Sequence, residues 1–120
     1  MKPITMKPIT MKPILEINES TFEAEVLQSR EPVLISFSTD WTLRSQRLIS
    51  ALEGIADELG DRIRVAWVSL DDNVDLSLAQ GIQFIPTLLY FVNGKVRARI
   101  VGTTSKETIL SQLTKLAGVE

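Results

Sequence analysis

The sequence predicts an α/β domain in three layers, with helices on both faces of a mixed central sheet. Three observations carry that expectation. The runs 33–37 and 63–70 are mostly β-branched and apolar, broken only by Ser36 in the first and by Arg64 and Ser69 in the second, too continuous for strands with one wet face. Stretches of helical periodicity separate the apolar runs, so strands are expected to pair in parallel through right-handed crossovers. Asn93-Gly94 joins the runs 87–92 and 95–101, and that dipeptide favours a tight antiparallel hairpin, so the hairpin is expected to add an antiparallel edge.

The elements follow in the order β-α-β-α-β-α-β-β-α. Residues 15–17 read as a short first strand. Ser20 and Glu23 have the spacing of a capping box and open a helix expected to turn Phe22, Val26 and Leu27 inward. After Pro32 comes the second strand. From about Arg44 to Leu59, the residues Leu48, Leu52, Ile55, Ala56 and Leu59 recur at intervals of three and four, Glu53, Asp57 and Glu58 lie off that stripe, and Gly60 is placed to end the helix. The third strand is followed by Asp71-Asp72-Asn73, read as the cap of a short helix holding Val74, Leu76, Leu78 and Ala79 and closed by Gly81. Past the hairpin, Ser105 caps a last helix with Ile109, Leu110, Leu113 and Leu116 on one face.

The chain is 120 residues, enough for one ordinary domain with one core. Residues 1–14 stand apart, with MKPIT repeated in tandem and prolines at 3, 8 and 13 that forbid a regular helix and remove sheet donors. They read as a flexible leader, a cloning remnant or slipped repeat with alternative starts, with a basic docking arm as the functional alternative; residues 15–120 form the domain. Three lysines, Lys2, Lys7 and Lys12, lie in that leader, whereas all fifteen acidic residues lie from Glu16 onward against ten cations. A mildly acidic body without a basic stripe argues against nucleic acid as a partner. No run approaches the roughly 20 apolar residues of a membrane span, and the leader lacks the apolar core of a secretory signal, so a cytoplasmic setting is expected. Absence of cysteine excludes thiolate nucleophiles, disulfides and zinc–thiolate sites, and absence of histidine removes imidazole ligands and the commonest general base near neutral pH. Asp71-x-Asn73-x-Asp75 fits the start of a calcium loop, but Leu76 stands where glycine is needed and Ile82 where a bidentate glutamate belongs, so neither metal nor cofactor is expected. Arg44 and Arg47 at the start of the long helix read as a solvated face ahead of an anion site.

Specific text joins this order of elements. PVLISF at 32–37, Trp41, ALEGIADELGDRIRVA at 51–66, Asp71-Asp72-Asn73, GIQFIPTLLYFVNGKV at 81–96 and Val101-Gly102 together resemble the thioredoxin family from Pro32 to about Leu113. The resemblance implies a thioredoxin-like α/β/α fold with a cis Ile85–Pro86 bond facing the redox segment. It also marks what has changed. Where the family carries Trp-Cys-Gly-Pro-Cys, this chain has Trp41-Thr42-Leu43-Arg44-Ser45. Thiol–disulfide exchange needs a thiolate to attack and a second thiol to resolve, and the hydroxyls of Thr42 and Ser45 can do neither. The family's buried aspartate and lysine, thought to handle the proton of the resolving thiol, correspond to Ser36 and Trp67, and its nearby aromatic to Ser38. A buried carboxylate and ammonium each cost several kcal/mol when no chemistry needs them, so the redox centre reads as abandoned rather than merely disarmed.

The resemblance further implies that Trp41, Leu43, Phe84, Ile85 and Pro86, with Gly102 beside them, meet around the abandoned centre, next to a backbone group that in thioredoxins pairs with an extended substrate peptide. Leu43 and Phe84 stand where the family usually has glycine, which suggests a surface made to be covered. The expected function is a non-catalytic module that binds a protein or extended peptide, self-association included. The alternative is an enzyme using a borrowed thiol, with Thr42 or Ser45 donating to a glutathione thiolate and Arg44 holding a carboxylate. A structural domain of a larger assembly ranks third.

Overall fold

The computed structural model describes residues 14–39, 43–102 and 105–118. The leader repeats, Trp41 and Thr42 lie outside the described residues. In chain order the elements are β1 (Leu15–Glu16), α1 (Glu23–Leu27, one π-helical turn), β2 (Val33–Ser38), α2 (Leu43–Leu59) with a 3-10 turn at Gly60–Arg62, β3 (Arg64–Ser69), α3 (Val74–Ala79), β4 (Thr87–Val92), β5 (Lys95–Val101) and α4 (Lys106–Ala117). The sheet order is β1-β3-β2-β4-β5. β1 and β2 both flank β3 in parallel, while β4 runs antiparallel to β2 and β5 antiparallel to β4.

The reversal at β4 departs from the expectation that every helix returns the chain for a parallel strand. The six residues of α3 rise only about 9 Å, whereas carrying the chain back along a six-residue strand takes about 20 Å. The helix alone does not return the chain, and the connection crosses β2 and re-enters the sheet from the end at which β3 stopped.

Alternation along β2 and β4 divides the interior in two. Leu34, Val65, Leu88 and Tyr90 pack with Leu48, Leu52, Ile55 and Leu59 of α2 and Ile109 and Leu113 of α4. Val33, Ile35, Phe37, Leu89 and Phe91 face the other way, onto Phe22 and Val26 of α1 and Leu76 of α3. The α2 stripe read from spacing is thus wholly buried. In α4 the stripe is narrower than its periodicity suggests, because Leu116 is half exposed where the helix runs past the sheet.

Local capping differs from the expected pattern at both helices of the second face. Before α1, Asn18 and not Ser20 forms the reciprocal cap: its Oδ1 accepts from the Ser20 and Thr21 amides while its own amide donates to Thr21 Oγ1. Starting the turn earlier and closing it as a π-turn rotates Leu27 outward, 37% exposed. At α3 no local side chain caps the helix; Glu19 does so from the β1–α1 loop, its Oε2 accepting the Leu76 amide at 3.2 Å. Asn73 ties the same two segments, its Oδ1 accepting from the Glu19 amide and its Nδ2 donating to the Ser69 carbonyl. Val74 and Leu78 of α3 remain exposed. The hairpin turn has positive φ at both Asn93 (52°) and Gly94 (79°), as a type I′ turn requires. A Cβ on Gly94 would lie 2.7 Å from the Leu27 carbonyl oxygen, so that glycine also permits the close approach of the hairpin to the end of α1.

Candidate functional site

The parallel strands and the reversed β4 bring several loops to one end of the sheet. β2 ends at Ser38 and α2 begins at Leu43, at the C-terminal end of the parallel strands. The register pairs Phe37 with Thr87 and Thr87 with Val101, so the segment before β4 and the segment after β5 arrive at that same end. Loops gathered beyond the carboxyl ends of parallel strands are the usual seat of ligand sites in α/β sheets.

Phe84, Ile85 and Pro86 form the loop that enters β4. The Ile85–Pro86 bond is cis. Phe84 is 65% and Ile85 42% exposed, while Pro86 and Thr87 are buried. Two hydrogen bonds fix the loop: Thr87 Oγ1 donates to the Phe84 carbonyl at 2.6 Å, and the Gly102 amide donates to the Pro86 carbonyl at 2.8 Å. Gly102 has a φ of 84°, which turns the chain after β5 at the point where its amide meets the loop. Neither the amide nor the carbonyl of Ile85 has a hydrogen-bond partner among the described residues. The structure therefore brings Phe84, Ile85, Pro86 and Gly102 together. Trp41 and Thr42, and the side chains of Leu43, Arg44 and Ser45, fall outside the described residues, and Arg47 is exposed.

Beneath this end lies the face that α2 covers. Ser36 of β2 is paired in register with Trp67 of β3 and with Leu88 of β4, and by alternation it shares the α2 side with Leu34 and Ser38. Ser36 is fully buried, Ser38 and Ser69 nearly so, and Trp67 is half-buried. The hydroxyls of Ser36 and Ser69 have no hydrogen-bond partner among the described residues. Among the described residues of these strands the layer holds no charged side chain: a serine and an indole, Ser36 and Trp67, are register neighbours there. Among the described residues no three His, Cys, Asp or Glu side chains converge as a metal site, and no helix is long and apolar enough to cross a membrane.

Two contributors escaped sequence reasoning. In the sequence Thr87 marks only the start of a strand, although its hydroxyl, one residue after Pro86, clamps the loop. Ser69 was read only as a polar break in a strand, and its alignment with Ser38, which makes a buried polar layer, depends on register.

The arrangement has known counterparts. The thioredoxin family model matches residues 13–115. A thioredoxin of Acidithiobacillus ferridurans is 40% identical over 100 residues, covering 83% of this chain and 93% of that protein. A thioredoxin of Griffithsia pacifica is 34% identical over 102 residues, covering 85% and 94%. Thioredoxin 1 of Synechococcus elongatus is 32% identical over 99 residues, covering 82% and 92%. The match spans both cores and the loop end of the sheet, so this chain, without a single cysteine, belongs to the thioredoxin family.

Proposed function

We propose that this chain is a non-catalytic, cytoplasmic thioredoxin-fold module that holds an extended peptide segment, presented by another protein or by a second copy, on the surface of Trp41, Leu43, Phe84, Ile85, Pro86 and Gly102. The observation that carries the reading is the unpartnered backbone of Ile85, set beside the exposed Phe84 in a loop fixed from below by Thr87 and Gly102. An extended peptide laid along that loop pairs its own main chain with Ile85 and covers Phe84 and Ile85, which is strand addition on a loop edge and needs no sulfur. Rigidity of the loop lowers the ordering cost of binding. Thiol exchange is not available to the chain's own residues, so the part of the family's activity that survives is recognition.

The test is capture by the immobilised chain from a displayed library of extended peptides, run beside Phe84→Asp and Trp41→Ala. Loss of enrichment in both variants supports the reading; equal enrichment rejects the site. Calorimetry with millimolar glutathione addresses the borrowed-thiol alternative. Heat that disappears on Arg44→Ala would favour the enzyme, and absence of heat removes it.

A further inference from the structure

An open groove of about 470 Å³ lies between α1 and α3, on the side of the sheet away from α2. That size falls within the range of ordinary ligand clefts. Phe22, Leu27 and Leu76 supply its apolar lining, and Glu19, Glu23 and Asp75 stand around them. The groove is preformed: Phe22 is held edge-on by Phe91 with ring centres 5.8 Å apart, and Leu76 is anchored by the Glu19 cap. Among the described residues none of the three carboxylates has an ion-pair partner. The cation that reaches this neighbourhood, Arg99, is spent on the Gln80 carbonyl at 3.1 Å. The groove is thus apolar at its base and anionic at its rim.

The chain carries the complement of that surface in its own leader. Lys2-Pro3-Ile4, Lys7-Pro8-Ile9 and Lys12-Pro13-Ile14 place one ammonium and one branched apolar side chain two residues apart, three times over, and all three cations of residues 1–14 are these lysines. Proline between them favours an extended backbone without helix, which suits a segment lying in a groove. Reach is ample. Glu19 is five residues beyond Ile14, hence within about 18 Å of it, whereas thirteen leader residues span up to about 45 Å when extended. Ile14 packs on the α2 side of β1, and β1 is the edge strand, so the leader has only to round that edge. We propose that the MKPIT leader docks in cis into the α1–α3 groove, an isoleucine on Phe22, Leu27 and Leu76 and a lysine among Glu19, Glu23 and Asp75, with Ile4 and Ile9 as the interchangeable registers because Ile14 is already packed beside β1.

The absence of cysteine makes the test clean, because Thr5→Cys gives a single attachment point for a spin label on the full chain. The amides of Phe22, Leu27, Leu76 and Ala79 lose intensity in the labelled chain, and recover it in 1 M salt, where the screening length falls to about 3 Å. Lys2→Glu, Lys7→Glu and Lys12→Glu together, which leave the body untouched, abolish the effect. Combining them with Glu23→Lys and Asp75→Lys restores it. Broadening that survives the leader substitutions, that appears elsewhere, or that arises only between a spin-labelled copy and a separate isotope-labelled copy overturns docking in cis.

Discussion

Ser36→Ala should stabilise this protein, although it removes a polar side chain from the centre of the sheet. Ser36 is fully buried, its hydroxyl has no partner, and its register neighbours are Trp67 and Leu88. An unpaired buried hydroxyl costs about 1–3 kcal/mol. Removing the oxygen leaves a void of roughly 10 Å³, which at about 24 cal/mol per Å³ costs only about 0.2 kcal/mol. The desolvation gain wins, and the net expected change is about 1 kcal/mol in favour of the folded state. In urea that moves the midpoint up by about 0.5–1 M at unchanged slope, and in a thermal scan it raises Tm by about 4–8 °C for a domain of this size. Ser69→Ala should act in the same direction, and the pair should add to within about 0.5 kcal/mol if the two hydroxyls are independent. A loss of stability in Ser36→Ala, or strong non-additivity with Ser69→Ala, would refute the reasoning, since either result means that the hydroxyls share a bridging partner such as a buried water.

The mirror experiment is Ser36→Asp, which puts a carboxylate into a buried layer that holds no cation among the described residues. Its folded pKa rises above the unfolded value of about 3.9, the unfolded chain gives up its proton first, and stability falls from about pH 4 upward by as much as about 1.4 kcal/mol per pH unit; equal urea midpoints at pH 4 and pH 7 would contradict this. Gly94→Ala should cost at least about 2 kcal/mol, because the new methyl meets the Leu27 carbonyl oxygen at 2.7 Å and the residue sits at positive φ, and a urea midpoint within error of the parent would count against the contact. Burial raises the pKa of Tyr90 above the usual phenol value, an effect that Arg97 partly offsets. The stabilisation it represents is complete below pH 10 and is lost as pH climbs through the folded pKa. Tyr90 is the chain's one tyrosine, so tyrosinate absorbance on alkaline titration, followed beside unfolding, reads it directly; an absorbance midpoint at the ordinary phenol value while the chain stays folded would refute it.

Order and type of the elements were legible because β2, β3 and β4 are mostly apolar runs, Asn93-Gly94 marks the hairpin to β5, and α2 and α4 carry a helical stripe. What was not legible depends on distance in space. Glu19 caps α3 through an amide 57 residues away, so no local pattern announces it, whereas Asn73 at the N-cap position makes no side-chain capping bond. Asn18 displaced Ser20 because both are good capping residues and the choice rests on where the chain leaves β1. The direction of β4 was hidden in the length of α3. At the candidate site, Ser36 and Trp67 lie in strands buried on both faces, where alternation is silent, so only the family resemblance placed them side by side. Thr87 and Ser69 needed the register itself.

Loss of the sulfur chemistry and survival of the fold are compatible because the two rest on different bonds. The cores on either side of the sheet are apolar and complete without residues 36, 38, 67 and 69. The Phe84–Pro86 loop is held by Thr87 and by the Gly102 amide, neither of which belongs to the 41–45 segment. Among the described residues, the hydrogen bonds that hold the loop involve neither Ser36 nor Trp67. Buried charges retained without a reaction to serve would tax stability by several kcal/mol, whereas an exposed Phe84 adds no such burden. A layer beneath α2 built from serines and an indole avoids that cost, and the loop above it is anchored from β4 and β5 by Thr87 and the Gly102 amide.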